Sequence, residues 1–357
     1  MKQVVTFLTN FQNQKCATHI SLIDQLTSEH VLHIADTFDD TTLLQLLDKG
    51  RPGIILSDHY CYVDSQLDIE FCSLPLWIER EVRQWCIDDL ESHVDTRYCF
   101  NFMVNKYKIH RNILIKLIES FGYQSFDYTY SGTKRSTNFG NVITDLAQHV
   151  DLLSPQQKST FLSSIKLPTK FIDSRLGQTV FKTHQTESNR LWYPGNKISW
   201  DSGLNCIFSN SVVSLITETV EHEQHVIFTE KSIYAIMANT FPIWVGGYGL
   251  PNHFKRLGFD IFDDVIDHSY QYKQTLIERC VCALTHNQKI LTDLDWAKST
   301  RLDCAQRLNK NQQLLLVDNV LWKFIQTQIN AMPSQLQSIV VPFVDFYRTQ
   351  KSNMTLI

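Results

Sequence analysis

The residues best suited to chemistry lie in one stretch, 211–250, which reads SVVSLITETVEHEQHVIFTEKSIYAIMANTFPIWVGGYGL. Glu218 follows an apolar run, and Thr229, Glu230 and Lys231 open a helical pattern. Threonine is a good helix N-cap, and an acid in the first turn suits the helix dipole. Lys231 runs against that dipole. A cation there makes sense where an anion shares the site, because helix-start N–H groups and an ammonium together hold phosphate. A lysine that simply points to solvent is the plain alternative. Gly246 and Gly247 follow the next apolar run and permit close backbone approach to a sugar or phosphate. A plain turn is equally compatible with them, and the glycine spacing does not fit a dinucleotide loop. His222-Glu223-Gln224-His225 contains metal-ligand types, but its second histidine comes one position early for one helix face and no third ligand is suitably spaced. No metal site is expected.

Elements able to position these residues follow from the hydrophobic period. Strands are expected at 4–8, 31–34 and 53–57, alternating with helices at 21–29 and 41–49, and a further helix at 76–90. A second unit starts near residue 97, with a strand at 98–104, a turn at 105–107 and a helix at 110–121. Residues 130–200 are the least regular, with helical runs at 141–152 and 155–165 and a mobile loop around 183–197. A strand at 212–217, a polar loop at 218–225, a helix at 229–239, a strand at 241–245 and a helix at 267–286 follow. The rest is mostly helical. This rhythm argues for an α/β protein with two Rossmann-like lobes facing a cleft and a helical C-terminal tail. The expected divisions are 1–95, 96–285 and 286–357. In such sheets ligands bind outside the carboxyl ends of the strands.

The chain has 357 residues, and 43% are hydrophobic and 20% charged, which excludes disorder and collagen-like chains. A net charge of −4 gives no overall basic footprint for nucleic acid. No run of ~18 apolar residues suggests a transmembrane helix. The nine cysteines, Cys16, Cys61, Cys72, Cys86, Cys99, Cys206, Cys280, Cys282 and Cys304, are odd in number and lack a CxxC pair. Buried reduced thiols, and hence a reducing cytoplasmic compartment, are the expectation.

The 211–250 segment resembles the donor-binding motif of the α1,3-fucosyltransferase family. There an F-E-N-S strand end precedes Y-x-T-E-K, a helix and V-P-V-x-x-G; here the chain has I-T-E-T, F-T-E-K and F-P-I-W-V-G. It is similar also to phage and viral glycosyltransferase-like proteins carrying S-L-V-x-E-T, T-E-K, L-x-x-L-G-F and D-E-S-Y-D. Leu257-Gly258-Phe259 and Asp267-His268-Ser269-Tyr270 match, with His268 in place of glutamate. Upstream, residues 99–104, Asn105 and His110-Arg111 resemble the strand, turn and arginine that open the donor lobe. The resemblance covers 97–285 and leaves 1–95 unmatched.

This resemblance implies a GT-B fold and transfer of a sugar from a UDP- or GDP-linked donor to a hydroxyl acceptor. It implies that Arg111 and Lys231 bind the diphosphate, so no metal or other cofactor is needed, and that Glu230 binds the ribose. Glu218 matches the glutamate of the strand end and is expected to orient the sugar or support the lysine. Thr219 replaces the family's asparagine, so the sugar is not read from the motif. Inverting transfer needs a general base. In the N-terminal lobe the best-placed acid is Asp58, at the end of the apolar run 54–56, with Asp64 and Glu70 as competitors and a turn or capping role as the alternative. A surface polysaccharide or hydroxymethylated phage DNA would suit as acceptor, the latter given a local basic groove from Arg51, Arg80, Arg83, Lys106, Lys108, Lys134 and Arg135. His184, Arg190, Trp192 and Tyr193 interleave aromatic and basic types that could meet a sugar or base. A non-catalytic binding protein of the same fold is the rival reading.

Overall fold

The structure is a computed structural model. It describes residues 5–7, 32–35, 53–57, 60–63, 69–83, 85, 95–104, 109–130, 150–165, 200, 204–218, 225–332 and 334–349. The strands are β1 (Val5–Phe7), β2 (Leu32–Ala35), β3 (Gly53–Ser57), β4 (Tyr60–Val63), β5 (Ile69–Ser73), β6 (Tyr98–Val104), β7 (Phe126–Tyr130), β8 (Ser211–Thr217), β9 (His225–Phe228) and β10 (Phe241–Val245). The first helices are α1 (Leu76–Val82), α2 (Ile109–Phe121), α3 (Pro155–Ile165), α4 (Asn205–Ser209), α5 (Glu230–Met237) and α6 (Leu250–Arg256). They are followed by α7 (Leu276–His286), α8 (Gln288–Thr292), α9 (Leu294–Asp303), α10 (Ala305–Leu316), α11 (Val320–Ala331) and α12 (Ser334–Thr349). Among the described residues no helix is long and apolar enough to cross a membrane.

The chain divides into two compact units. The first comprises Met1–Arg80, Gln224–Ile227 and Asn319–Ile357; the second comprises Glu81–Glu223 and Phe228–Asp318. In the first, a four-stranded parallel sheet runs β1-β2-β3-β5. The last two helices belong here, since α11 packs on β5 and α12 on α11, whereas α8, α9 and α10 belong to the second unit. Arg348 of α12 lies 3.5 Å over the Trp322 ring and 3.7 Å from the buried Glu79 carboxylate. The polar run 218–225 is not all loop, because residues 225–228 form β9 and pair with β4.

In the second unit a parallel sheet runs β10-β8-β6-β7. Every residue of β8 and β10 is buried. Alternate side chains of a strand point to opposite faces, so both faces of this sheet are covered, as parallel sheets require. Helix α2 contributes Ile113, Leu114, Leu117 and Ile118 to the core, and α7 contributes Cys280, Val281, Ala283 and Leu284. The fold is an α/β arrangement in which helices flank a small parallel sheet.

Two expected helices differ in extent. The helix expected over 76–90 closes at Val82, whose carbonyl accepts from the Trp85 N–H (3.0 Å). Trp85 then turns inward, edge-on to Trp200. The helix expected over 267–286 starts at Leu276, because Thr275 and Glu278 form a capping box at that point. The preceding segment instead makes a 3-10 turn, Ser269–Tyr272. That turn has a purpose in the sheet, since β10 is an edge strand and the Tyr270 hydroxyl accepts the Trp244 N–H (3.0 Å). Among the described cysteines, Cys99, Cys280, Cys282 and Cys304 are buried free thiols, but Cys206 is exposed on the five-residue helix α4.

Candidate functional site

The order β10-β8-β6-β7 contains a reversal. From β6 the chain passes to β7 on one side, then returns to β8 on the other and continues outward to β10. The crevice between the carboxyl ends of β6 and β8 is therefore a topological switch point, the place where open α/β sheets bind ligands. The donor-site residues singled out by sequence in the second unit gather there. Arg111 lies in the first turn of α2, after β6. Thr217 and Glu218 end β8, and Thr229, Glu230 and Lys231 start α5.

Glu218 builds the local frame. Its backbone N–H donates to Val245 O of β10 (3.2 Å). Its carboxylate is wholly buried and accepts three hydrogen bonds: from the Thr229 N–H to Oε1 (3.0 Å), from the Thr229 hydroxyl to Oε2 (2.6 Å), and from the Ser232 hydroxyl to Oε1 (2.6 Å). The Ser232 Oγ in turn accepts from Trp244 Nε1 (2.9 Å). Thr229 is thus the N-cap by position, but its hydroxyl does not cap the helix as a threonine there is expected to; it donates to Glu218 instead. Glu218 also receives His110. The histidine Nε2 is 2.9 Å from Glu218 O, and since a carbonyl only accepts, Nε2 carries the proton. Helix α2, strand β8 and helix α5 are tied together through this one residue.

Two cations sit on that frame. Lys231 Nζ donates to Glu230 Oε1 (2.8 Å) and to Thr229 Oγ1 (3.2 Å). Arg111 Nε donates to Thr217 Oγ1 (3.2 Å) and Nη2 to Thr217 O (3.2 Å). Arg111, Glu230 and Lys231 are each less than one-tenth exposed. Burial pushes the Glu230 carboxyl upward, but the charges of Lys231 and Arg111 and the lysine hydrogen bond outweigh it, so its pKa lies below the usual value. Burial dominates at Glu218 and raises its pKa, although Lys231, Ser232 and Thr229 all oppose the shift. Two cations thus share the crevice with one carboxylate that ionises readily and one that ionises reluctantly. Burying such charges costs several kcal/mol per ion and rarely improves stability. A cluster of this kind at a ligand-binding crevice is a functional-site candidate. Its charge balance favours an anion.

No known protein family, curated protein or solved structure matches this chain. The site is read from its own geometry.

Gly246 and Gly247 are buried in the bend after β10. Val245 pairs with Thr217, so the glycines reach the same end of the sheet as the cations. Asp58, its neighbour His59, and Asp64 lie outside the described residues, as do the loop 183–197, Lys134-Arg135 and His222–Gln224. Glu70 is on β5. Among the described residues no group of three or more His, Cys, Asp or Glu could hold a metal. His268 is buried and serves the core: its Nε2 is 2.8 Å from Ile261 O, and burial lowers its pKa. Sequence reading missed the parts played by Thr217, Ser232, Trp244 and His110. Their traces were slight: a hydroxyl at a strand end for Thr217, a hydroxyl three residues after the cap for Ser232, a histidine next to the arginine for His110, and for Trp244 only its place in the apolar run of β10.

Proposed function

We propose that this chain is a glycosyltransferase of the GT-B type that moves a sugar from a nucleoside-diphosphate sugar to a hydroxyl acceptor. The observation that carries the reading is the convergence of Arg111 and Lys231, both buried, at the switch point of the second sheet. Cleaving the donor's glycosidic bond leaves a nucleoside diphosphate. Two cations held in advance stabilise its growing negative charge without reorganising. Glu230, kept ionised by those cations, accepts from the ribose hydroxyls. Glu218 positions Lys231 through Thr229. An inverting transfer also requires a general base for the acceptor's proton, and the candidate offered by the sequence is Asp58. The resemblance to phage and viral glycosyltransferase-like proteins points to a glycan or a hydroxymethylated DNA base as acceptor. The described free cysteines suit a reducing, cytoplasmic setting.

A thermal-shift screen with UDP- and GDP-linked sugars tests this, with a CMP-linked sugar, which carries one phosphate, as the control. A true donor at 100 times its Kd should stabilise the protein by about 2.7 kcal/mol, and Lys231→Ala should abolish that shift. No shift with any donor would defeat the proposal. A second reading, binding without turnover, draws on one observation. Both carboxylates of the site are engaged, Glu218 by Thr229 and Ser232 and Glu230 by Lys231. Hydrolysis of the donor by purified protein separates the two readings.

A further inference from the structure

Most of the large aromatic side chains described in the second unit are buried, but Tyr248 and Tyr272 are 46% and 51% exposed. Their rings meet edge to face, with centroids 5.9 Å apart at 71°. Asn252 Nδ2 donates to the Tyr272 hydroxyl (2.8 Å), which fixes that ring. Both tyrosines are tied to the end of β10. Tyr248 follows Val245 by three residues, and Gly249, in the left-handed region at φ 73°, turns the chain into α6 directly after it. Tyr272 ends the 3-10 turn whose Tyr270 hydroxyl holds the Trp244 N–H. Val245 is paired with Thr217, the residue that holds Arg111, and neighbouring strands lie ~4.8 Å apart. The ring pair therefore stands one strand outward from the cations, at the same end of the sheet. Gln271, next to Tyr272, is buried, and among the described residues its Oε1 accepts no hydrogen bond.

We propose that Tyr248 and Tyr272 form the stacking seat for the nucleobase of the ligand whose diphosphate is held by Arg111 and Lys231. This rests on the nucleoside-diphosphate reading of the site and adds the residues that take the base. A base is joined to its diphosphate by a single ribose, so it must land within one nucleotide's length of the cations. A flat π-face suits an aromatic ring irrespective of the base's hydrogen-bonding pattern. An edge-to-face pair leaves ring surface open for such a partner.

Calorimetric titration of the full chain with UDP, GDP and inorganic pyrophosphate tests this, using wild type, Tyr248→Ala, Tyr248→Phe, Tyr272→Ala and Lys231→Ala. Tyr248→Ala and Tyr272→Ala should weaken the preferred nucleoside diphosphate at least about tenfold. They should leave pyrophosphate binding unchanged, and Tyr248→Phe should bind as wild type. Equal losses for nucleoside diphosphate and pyrophosphate, or no loss for either, overturn the proposal. If Lys231→Ala abolishes binding while both alanine variants bind normally, the diphosphate site stands and the base seat falls. If wild type binds neither probe, both fall together.

Discussion

Arg111 and Arg301 occupy opposite ends of one parallel sheet, and they are held in opposite ways. Arg301, on α9, stands at the amino ends of the strands. Its Nη1 donates to Thr96 Oγ1 (3.1 Å), Ser209 O (3.3 Å) and Ser211 O (3.1 Å), and its Nη2 to Ala238 O (2.8 Å). These groups lead into β6, β8 and β10. None of them is charged, and burial lowers the arginine's pKa to about 10. Arg111, at the carboxyl ends, donates to the Thr217 hydroxyl and carbonyl, and it shares its surroundings with Lys231 and Glu230. One arginine closes a fold by satisfying carbonyls that would otherwise be buried unpaired. The other adds to a concentration of charge that the fold does not need.

The largest expected effect is on the first of these. Arg301→Met should lower unfolding stability by about 3 kcal/mol or more, because several carbonyls lose their donor at once. It should leave the affinity of the folded protein for a nucleoside diphosphate unchanged. Arg111→Met should do the reverse, weakening ligand binding at least tenfold with a smaller loss of stability, since it also removes a buried charge whose desolvation opposes folding. Urea unfolding and calorimetric titration of both variants decide the matter. If the two arginines cost the same in both measurements, the division between a structural end and a ligand end collapses.

A smaller effect should separate the two carboxylates of the proposed ligand end. The Glu218 pKa is raised above its ordinary value of 4.5 by burial. Below that value both folded and unfolded chains hold the proton, and the group contributes no difference. As pH rises through it, the unfolded chain ionises first and the fold loses stability. Glu230 runs the other way: with its pKa lowered against burial by Lys231 and Arg111, it stabilises above its ordinary value, and that contribution is lost as pH falls through the folded pKa. Glu218→Gln should therefore flatten the decline in stability between acid and neutral pH, at a constant cost of about 1 kcal/mol for the acceptor it forfeits. Glu230→Gln should instead remove stability at neutral pH. Unfolding curves across the pH range would show it, and an unchanged decline in Glu218→Gln would mean that its burial is not felt as charge.

The two ends were not equally legible in the sequence. The strands at 98–104, 212–217 and 241–245 were plain because a doubly covered strand is a nearly continuous apolar run, interrupted here by Asn101 and Ser214, which bond each other, and their ends marked where Arg111, Glu218 and Lys231 would meet. Glu218's clasp on Thr229 and Ser232 was not legible. It joins residues 11 and 14 apart through side-chain geometry, for which no periodicity exists. Arg301 was invisible for a stronger reason. Its partners at 96, 209, 211 and 238 are mainly backbone carbonyls, and a carbonyl carries no residue type to read. The start of α7 at Leu276 could have been read from Thr275 and Glu278, whose spacing is that of a capping box.

The smallest effect probes the strand between the two ends. Tyr270 gives β10 a partner along its open edge, and its ring is buried against the core. Tyr270→Phe keeps the ring and removes only the hydroxyl, leaving the Trp244 N–H without its acceptor. That should cost about 1 kcal/mol. The consequence for the ligand end is the informative part. The 3-10 turn that carries Tyr270 also carries Tyr272, so a loosened turn should weaken nucleoside diphosphate binding slightly while leaving pyrophosphate binding intact. A loss of stability with full affinity for both would place the turn with Arg301, on the structural side of the comparison. A selective loss for the nucleoside diphosphate would place it with Arg111 and Lys231.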